Sequence, residues 1–125
     1  MDALDTWHDV AANNDVARLD ELIDQDAVFE SPIVHRPQIG RDLVVKYLAA
    51  AMRTLGGPDF RYTGQWRSDD GAVLEFETQI DGIAVNGVDI LRFTPDGQRI
   101  AHFKVMLRPL KAIDIVHRKM AEALG

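Results

Sequence analysis

Residues Asn86–Pro109 read NGVDILRFTPDGQRIAHFKVMLRP, and the fold follows from this stretch. Two apolar-rich runs flank the turn Thr94-Pro95-Asp96-Gly97, the pattern of a β-hairpin. One acid, Asp89, sits among Val88, Ile90 and Leu91. An unpaired carboxylate is costly to bury, so this one must face solvent, find a partner, or be used. Strand parity groups Asp89 with Val85, Gly87, Leu91 and Phe93, a mainly apolar set. That places Asp89 inward, where desolvation pushes a carboxyl pKa up.

Working back from this hairpin, the period of two continues. Leu74, Phe76, Thr78 and Ile80 alternate with Glu75, Glu77 and Gln79, and Asp81-Gly82 is a tight-turn signal. Phe60, Tyr62, Gly64 and Trp66 alternate with Arg61, Thr63, Gln65 and Arg67, and a turn at Ser68–Gly71 follows. Four consecutive strands joined by turns make an antiparallel meander. If Phe103, Val105 and Leu107 point inward, then His102, Lys104 and Met106 point outward. Arg61, Gln65, Arg67, Glu75, Glu77, Asn86 and Arg92 join them on that outer face, suited to cross-strand charge pairs. Met106, Val88 and Ile90 would be left in water there, so a homodimer through this face is expected.

The ends of the chain read as helices. Asp2 caps a helix to about Asn13, with Leu4, Trp7 and Val10-Ala11 on one face. Asp15 caps a short second helix carrying Val16, Leu19, Leu22 and Ile23. Ala27–Ser31 reads as a short strand ended by Pro32, and Ile33–Ile39 as an ordered loop. A third helix runs from Gly40-Arg41-Asp42 to about Leu55, with Leu43, Tyr47, Leu48, Ala51 and Leu55 as its stripe. Gly56-Gly57-Pro58 stops it. Pro109 opens a final helix burying Leu110, Ile113, Val116, His117, Met120 and Leu124. The class is α+β: one domain, residues 1–125, with a strongly curved antiparallel sheet wrapped around helices as an open-mouthed cone.

The totals narrow the function. Apolar residues make up 46% of the chain and charged residues 27%, ordinary globular values, and the net charge is −6. A scattered acidic surface disfavours nucleic acid and anionic membranes as partners. There is no cysteine, which excludes disulfides and thiolate chemistry. No apolar run approaches the roughly 20 residues of a membrane span, and MDALDTWHDV lacks the features of a signal peptide. A cytoplasmic location is expected. The four histidines show no metal-ligand spacing, there is no phosphate loop and no Gly-x-Ser-x-Gly. Neither a metal nor a cofactor is expected.

The element order resembles the nuclear-transport-factor-2-like (ketosteroid-isomerase-like) superfamily, close to its SnoaL-like branch. Three strings carry the resemblance: Asn13-Asn14-Asp15 leading to Leu22-Ile23; Phe29-Glu30-Ser31-Pro32 with Gly40-Arg41; and Asp89–Phe93 with Asp96-Gly97 and Arg99-Ile100. It implies the cone-shaped fold and leaves isomerases, cyclases, lyases and non-catalytic interaction or carrier modules open. Ketosteroid isomerases of this fold place a general-base aspartate where this chain has Ser31, and a tyrosine donor close to Trp7. Their second donor, a carboxyl kept neutral by an apolar site, matches Asp89; that acid is a worked example of such tuning. A serine cannot take a carbon-bound proton unaided, so the ketosteroid mechanism is not expected here.

Two readings follow. In the first, a small, mostly apolar, carbonyl-bearing molecule binds a pocket with Asp89 as its acid–base group. Trp7, Phe29, Ser31, His35, Tyr47, Tyr62, Trp66, Phe76 and Phe103 would line or assist it. Any reaction would be isomerase-, cyclase- or lyase-type and cofactor-free. In the second, side chains fill the cone, Asp89 is a satisfied structural carboxylate accepting from Trp7 or a tyrosine, and function resides on the outer sheet face.

Overall fold

A computed structural model describes all of residues 1–125. Helix α1 (Ala3–Asn13) starts at a capping box: Asp2 accepts from the Asp5 N–H, and Asp5 accepts in return from the Asp2 N–H. It buries Ala3, Leu4, Trp7 and Val10. Asn14, at φ 51°, turns the chain out of the helix. A 3-10 turn (Val16–Arg18) and a single helical turn, α2 (Leu19–Leu22), follow. Asp15 precedes that turn but makes no side-chain cap.

Strand β1 spans Ile23–Glu30 and β2 is the two-residue Gln38–Ile39. Helix α3 covers Arg41–Leu55. The meander is β3 (Arg61–Arg67), β4 (Gly71–Ile80), β5 (Ile83–Phe93) and β6 (Ile100–Arg108), and α4 (Leu110–Leu124) ends the chain. All six strands form one open sheet in the order β2-β1-β6-β5-β4-β3. Every pairing is antiparallel except β1–β6, which is parallel, so the sheet is mixed. The fold is the expected α+β arrangement, with the helices covering the inner face.

Several boundaries differ from the sequence reading. Strand β1 begins at Ile23, four residues early, because Ile23 pairs with Ile100 rather than continuing the helix. The loop 33–39 closes into β2 against Val28 and Phe29. On α3 the buried face is Val44, Leu48, Ala49, Ala50, Met52 and Leu55, while Leu43 is exposed. On α4 it is Ala112, Ile115, Val116 and Met120, while Leu110 and His117 are exposed. Both stripes are rotated from the expected ones, because the sheet covers only one side of each helix. No helix is long and apolar enough to cross a membrane.

The largest departure is a bulge in β3. Tyr62 pairs with Phe76, but Gly64 pairs with Glu75, so Thr63 is an extra residue. One inserted residue exchanges the faces for the rest of the strand. Trp66 therefore lands on the outer face opposite Val73, 59% exposed and folded over Gly64. Gln65 and Arg67, expected outside, turn to the helix side and reach His8 and Asp2 of the α1 segment. The pairing of β5 with its neighbours is regular apart from a shift at Arg92/Phe93, where Ala101 of β6 is skipped. Leu74, Asp89 and Val105 form one inward row; Glu75, Val88 and Met106 form the next, outward, row.

Gly87 marks a place where neighbouring strand and core side chain both crowd the backbone. A Cβ there would lie 2.6 Å from the Met106 carbonyl oxygen and 2.6 Å from the Phe76 ring. Gly87→Ala should lower stability by roughly 1–3 kcal/mol, read as a lower urea midpoint. Gly57→Ala, whose Cβ meets nothing within 4 Å, should stay within about 0.5 kcal/mol.

Candidate functional site

Asp89 projects from β5 into the core and is 6% exposed. Tyr62, just before the β3 bulge, keeps its inward direction and donates from its hydroxyl to Asp89 Oδ2 at 2.6 Å. Trp7, on the buried face of α1, donates from Nε1 to the Tyr62 oxygen at 2.9 Å. A one-way chain of donors thus runs Trp7 to Tyr62 to Asp89. Aromatic rings fix its parts. Tyr62 stands edge-on to Phe60 at 5.1 Å and to His8 at 5.5 Å, and Trp7 edge-on to Phe103 at 4.9 Å.

The chain satisfies only half of the carboxyl group. Asp89 Oδ1 has no hydrogen-bond partner in the protein, while no sealed-in side-chain oxygen or nitrogen lacks one. Oδ1 is therefore open to the chamber that Asp89 lines. Burial pushes the Asp89 pKa up from 3.8 to about 7, against the lowering effect of the Tyr62 hydrogen bond. Burial, and then the neighbouring Asp89 charge, hold the Tyr62 hydroxyl well above the usual phenol range. Near neutral pH the carboxyl can hold or release a proton at Oδ1, and Tyr62 keeps its own.

Two cavities lie on the inner face. The Asp89 chamber, about 50 Å³, has Trp7, Leu48, Phe60, Tyr62, Phe76 and Phe103 among its walls. The other, about 190 Å³, lies between α3, α4, β6 and the turn after β1, and includes Phe29, Ser31, Tyr47 and His117. Ala51, Leu55 and Val105 line both, so the two adjoin. Of the residues singled out in the sequence, Trp7, Tyr62, Phe76, Phe103 and Asp89 meet at the smaller chamber, and Phe29, Ser31 and Tyr47 at the larger.

His35 and Trp66 line neither cavity. His35 is exposed in the 31–37 turn, and Trp66 is carried outward by the bulge. His117, expected on the buried side of the last helix, instead lines the larger cavity from its exposed edge. Val105, inward as its strand parity implies but not among the expected pocket residues, lines both cavities. Its position opposite Asp89 was readable only from the hairpin register. No three histidine, aspartate or glutamate side chains converge as a metal-binding group.

The pKa of Asp89 implies a pH-dependent stability with a definite sign. The folded chain keeps a proton that the unfolded chain loses at 3.8. Stability should fall as pH rises from about 4 to about 7 and then level off, a loss on the order of 4 kcal/mol. Asp89→Asn cannot ionise. Urea unfolding should find the variant close to wild type near pH 4 and more stable than wild type at pH 8.

Residues 4–103 match the family model described as SnoaL-like domain. Comparison with curated proteins gives no match. Among solved structures, a steroid delta-isomerase from Pseudomonas aeruginosa is similar at 34% identity and TM-score 0.92, over 98% of this chain and 88% of that one. An uncharacterized protein with a cystatin-like fold from Silicibacter pomeroyi shares 24% identity and TM-score 0.87, over 96% of this chain and 83% of that one. A putative SnoaL-like polyketide cyclase from Shewanella putrefaciens shares the fold at 14% identity and TM-score 0.67, over 96% and 84% of the two chains.

Proposed function

The chain belongs to the SnoaL-like domain family, and from that membership we propose that it binds a small, mostly apolar carbonyl compound, with the carbonyl oxygen against Asp89. The observation that carries this reading is the half-satisfied carboxyl: Oδ2 is held by Tyr62, while Oδ1 faces a chamber walled by aromatic rings. A neutral Asp89 donates from Oδ1 to the ligand oxygen and draws electron density onto it. The donor sits in a site of low dielectric and is already oriented, which is where such a hydrogen bond acts most strongly. Polarising a carbonyl in this way assists isomerase-, cyclase- or lyase-type chemistry without a cofactor.

The similarity to a steroid delta-isomerase favours enolisation as the reaction type, but Ser31 alters what the protein can contribute. Its Oγ accepts from the N–H groups of Ile33 at 3.1 Å and Val34 at 2.9 Å, so its acceptor capacity is spent on the turn. No second carboxylate lines either cavity. The proton that leaves carbon must go to Asp89 itself, to the His117 imidazole, to water or to a group on the substrate. This also favours a second reading, in which the pocket binds and carries a ligand without turnover.

The outer sheet face completes the proposal with a second copy of this chain as its occupant. Met106 is 49% and Trp66 59% exposed there, beside Val73, Val88 and Ile90. Lys104 on β6 and Glu75 on β4 flank the apolar rows, an arrangement that a two-fold axis can make self-complementary. Met106→Asp should convert a dimer to a monomer by light scattering, and an intact dimer would remove this face as the interface.

The pocket is tested with 4-phenylbutan-2-one as probe, by calorimetry. Affinity should weaken as pH rises through about 7, where Asp89 loses the donated proton. Asp89→Asn keeps a donor but cannot titrate, so its affinity should be flat with pH. A wild-type affinity that ignores pH would sink the assignment of Asp89.

A further inference from the structure

The larger cavity carries its own set of polar groups, and none is used by the protein at its donor end. Ser31 accepts two backbone N–H groups, but its hydroxyl hydrogen has no acceptor in the chain. The Tyr47 hydroxyl and both ring nitrogens of His117 make no hydrogen bond either. Of the other histidines, His8 is bonded to Gln65 and His102 to Glu30, while exposed His35 has no partner and lines neither cavity. Ser31, Tyr47 and His117 come from the turn after β1, from α3 and from α4, yet they line one cavity. The other twelve residues lining it are hydrophobic. A few unpartnered donors on an apolar wall are the usual means of orienting a bound molecule.

The two cavities share Ala51, Leu55 and Val105 as walls and so lie side by side. We infer that the ligand is elongated, apolar in its middle and oxygenated at both ends. Its carbonyl oxygen lies at Asp89, and a hydroxyl or second carbonyl oxygen lies at the Ser31–Tyr47–His117 station. This inference rests on the reading of the Asp89 chamber given above and adds the far end of the molecule. It assigns Ser31 the part of a hydrogen-bond donor, pre-aimed by its turn, and makes His117 a specificity residue. Ser31, whose oxygen already accepts twice, can only donate, while the Tyr47 hydroxyl and a neutral His117 can donate or accept, a set that suits a hydroxyl or carbonyl oxygen.

A matched pair of probes tests it: 4-phenylbutan-2-one, with one oxygen, and 4-(4-hydroxyphenyl)butan-2-one, with an oxygen at each end. Calorimetry on the wild-type protein should find the second tighter by about fivefold or more, the contribution of one added hydrogen bond. Tyr47→Phe, His117→Ala and Ser31→Ala are then compared. Ser31→Ala also removes the turn contacts, so the first two variants are the decisive ones. At least one of them should abolish the advantage, read as the ratio of the two probe affinities within the same variant. Equal affinity of the wild-type protein for the two probes overturns the inference, as does an advantage that survives every substitution. Failure of the Asp89 reading looks different: both probes would then bind without dependence on pH, whatever the added hydroxyl does.

Discussion

The hydrogen bond from Tyr62 to Asp89 ties together distant parts of the chain at one buried point. It joins β3 to β5 across the intervening strand, and through Trp7 it reaches α1. A buried carboxyl without that partner would be a large defect. With it, one carboxyl oxygen is satisfied, and burial leaves the group poised to hold or release its proton near pH 7. The arrangement is directional: Trp7 can only donate, so Tyr62 must accept from it and can donate only onward. The carboxyl is the end of the line, and its remaining oxygen has capacity to spare.

Much of this was legible beforehand. Asp89 among β-branched neighbours, with the Thr94–Gly97 turn beyond it, determined both the hairpin and the inward direction of the acid. Turn residues and a period of two located all four meander strands, since each strand has one face in the core. What failed were the places where a local pattern underdetermines the outcome. Phe60, Tyr62, Gly64 and Trp66 alternate without a break, and nothing in that run announces Thr63 as an inserted residue. The rotation of α3 and α4 was misjudged for a related reason. Apolar residues such as Leu43 and Leu110 also sit on exposed faces, and only the tertiary partner selects which stripe is covered. The parallel pairing of β1 with β6 joins residues more than seventy positions apart and has no local trace.

Family membership and site geometry constrain the function at different levels. The SnoaL-like match and the structural similarities fix the scaffold, which hosts several chemistries. The side chains then restrict them. A buried carboxyl remains at Asp89, whereas the turn position that the resemblance matches to the base of ketosteroid isomerases holds a hydroxyl already committed to two backbone amides. The proposed function is therefore one of holding and activating an oxygen more than of removing a proton from carbon.

The bulge in β3 has one more effect, which is spectroscopic. The chain contains two tryptophans, and the bulge leaves them in opposite surroundings: Trp7 is 3% exposed beside the chamber, while Trp66 lies open on the far side of the sheet. An aqueous quencher such as iodide reaches only the second. Quenching Trp66 leaves an intrinsic emission that reports from within hydrogen-bond distance of Tyr62, and any loss of quenching reports that the outer surface has been covered. The molecule carries separate built-in lamps for its interior and its exterior.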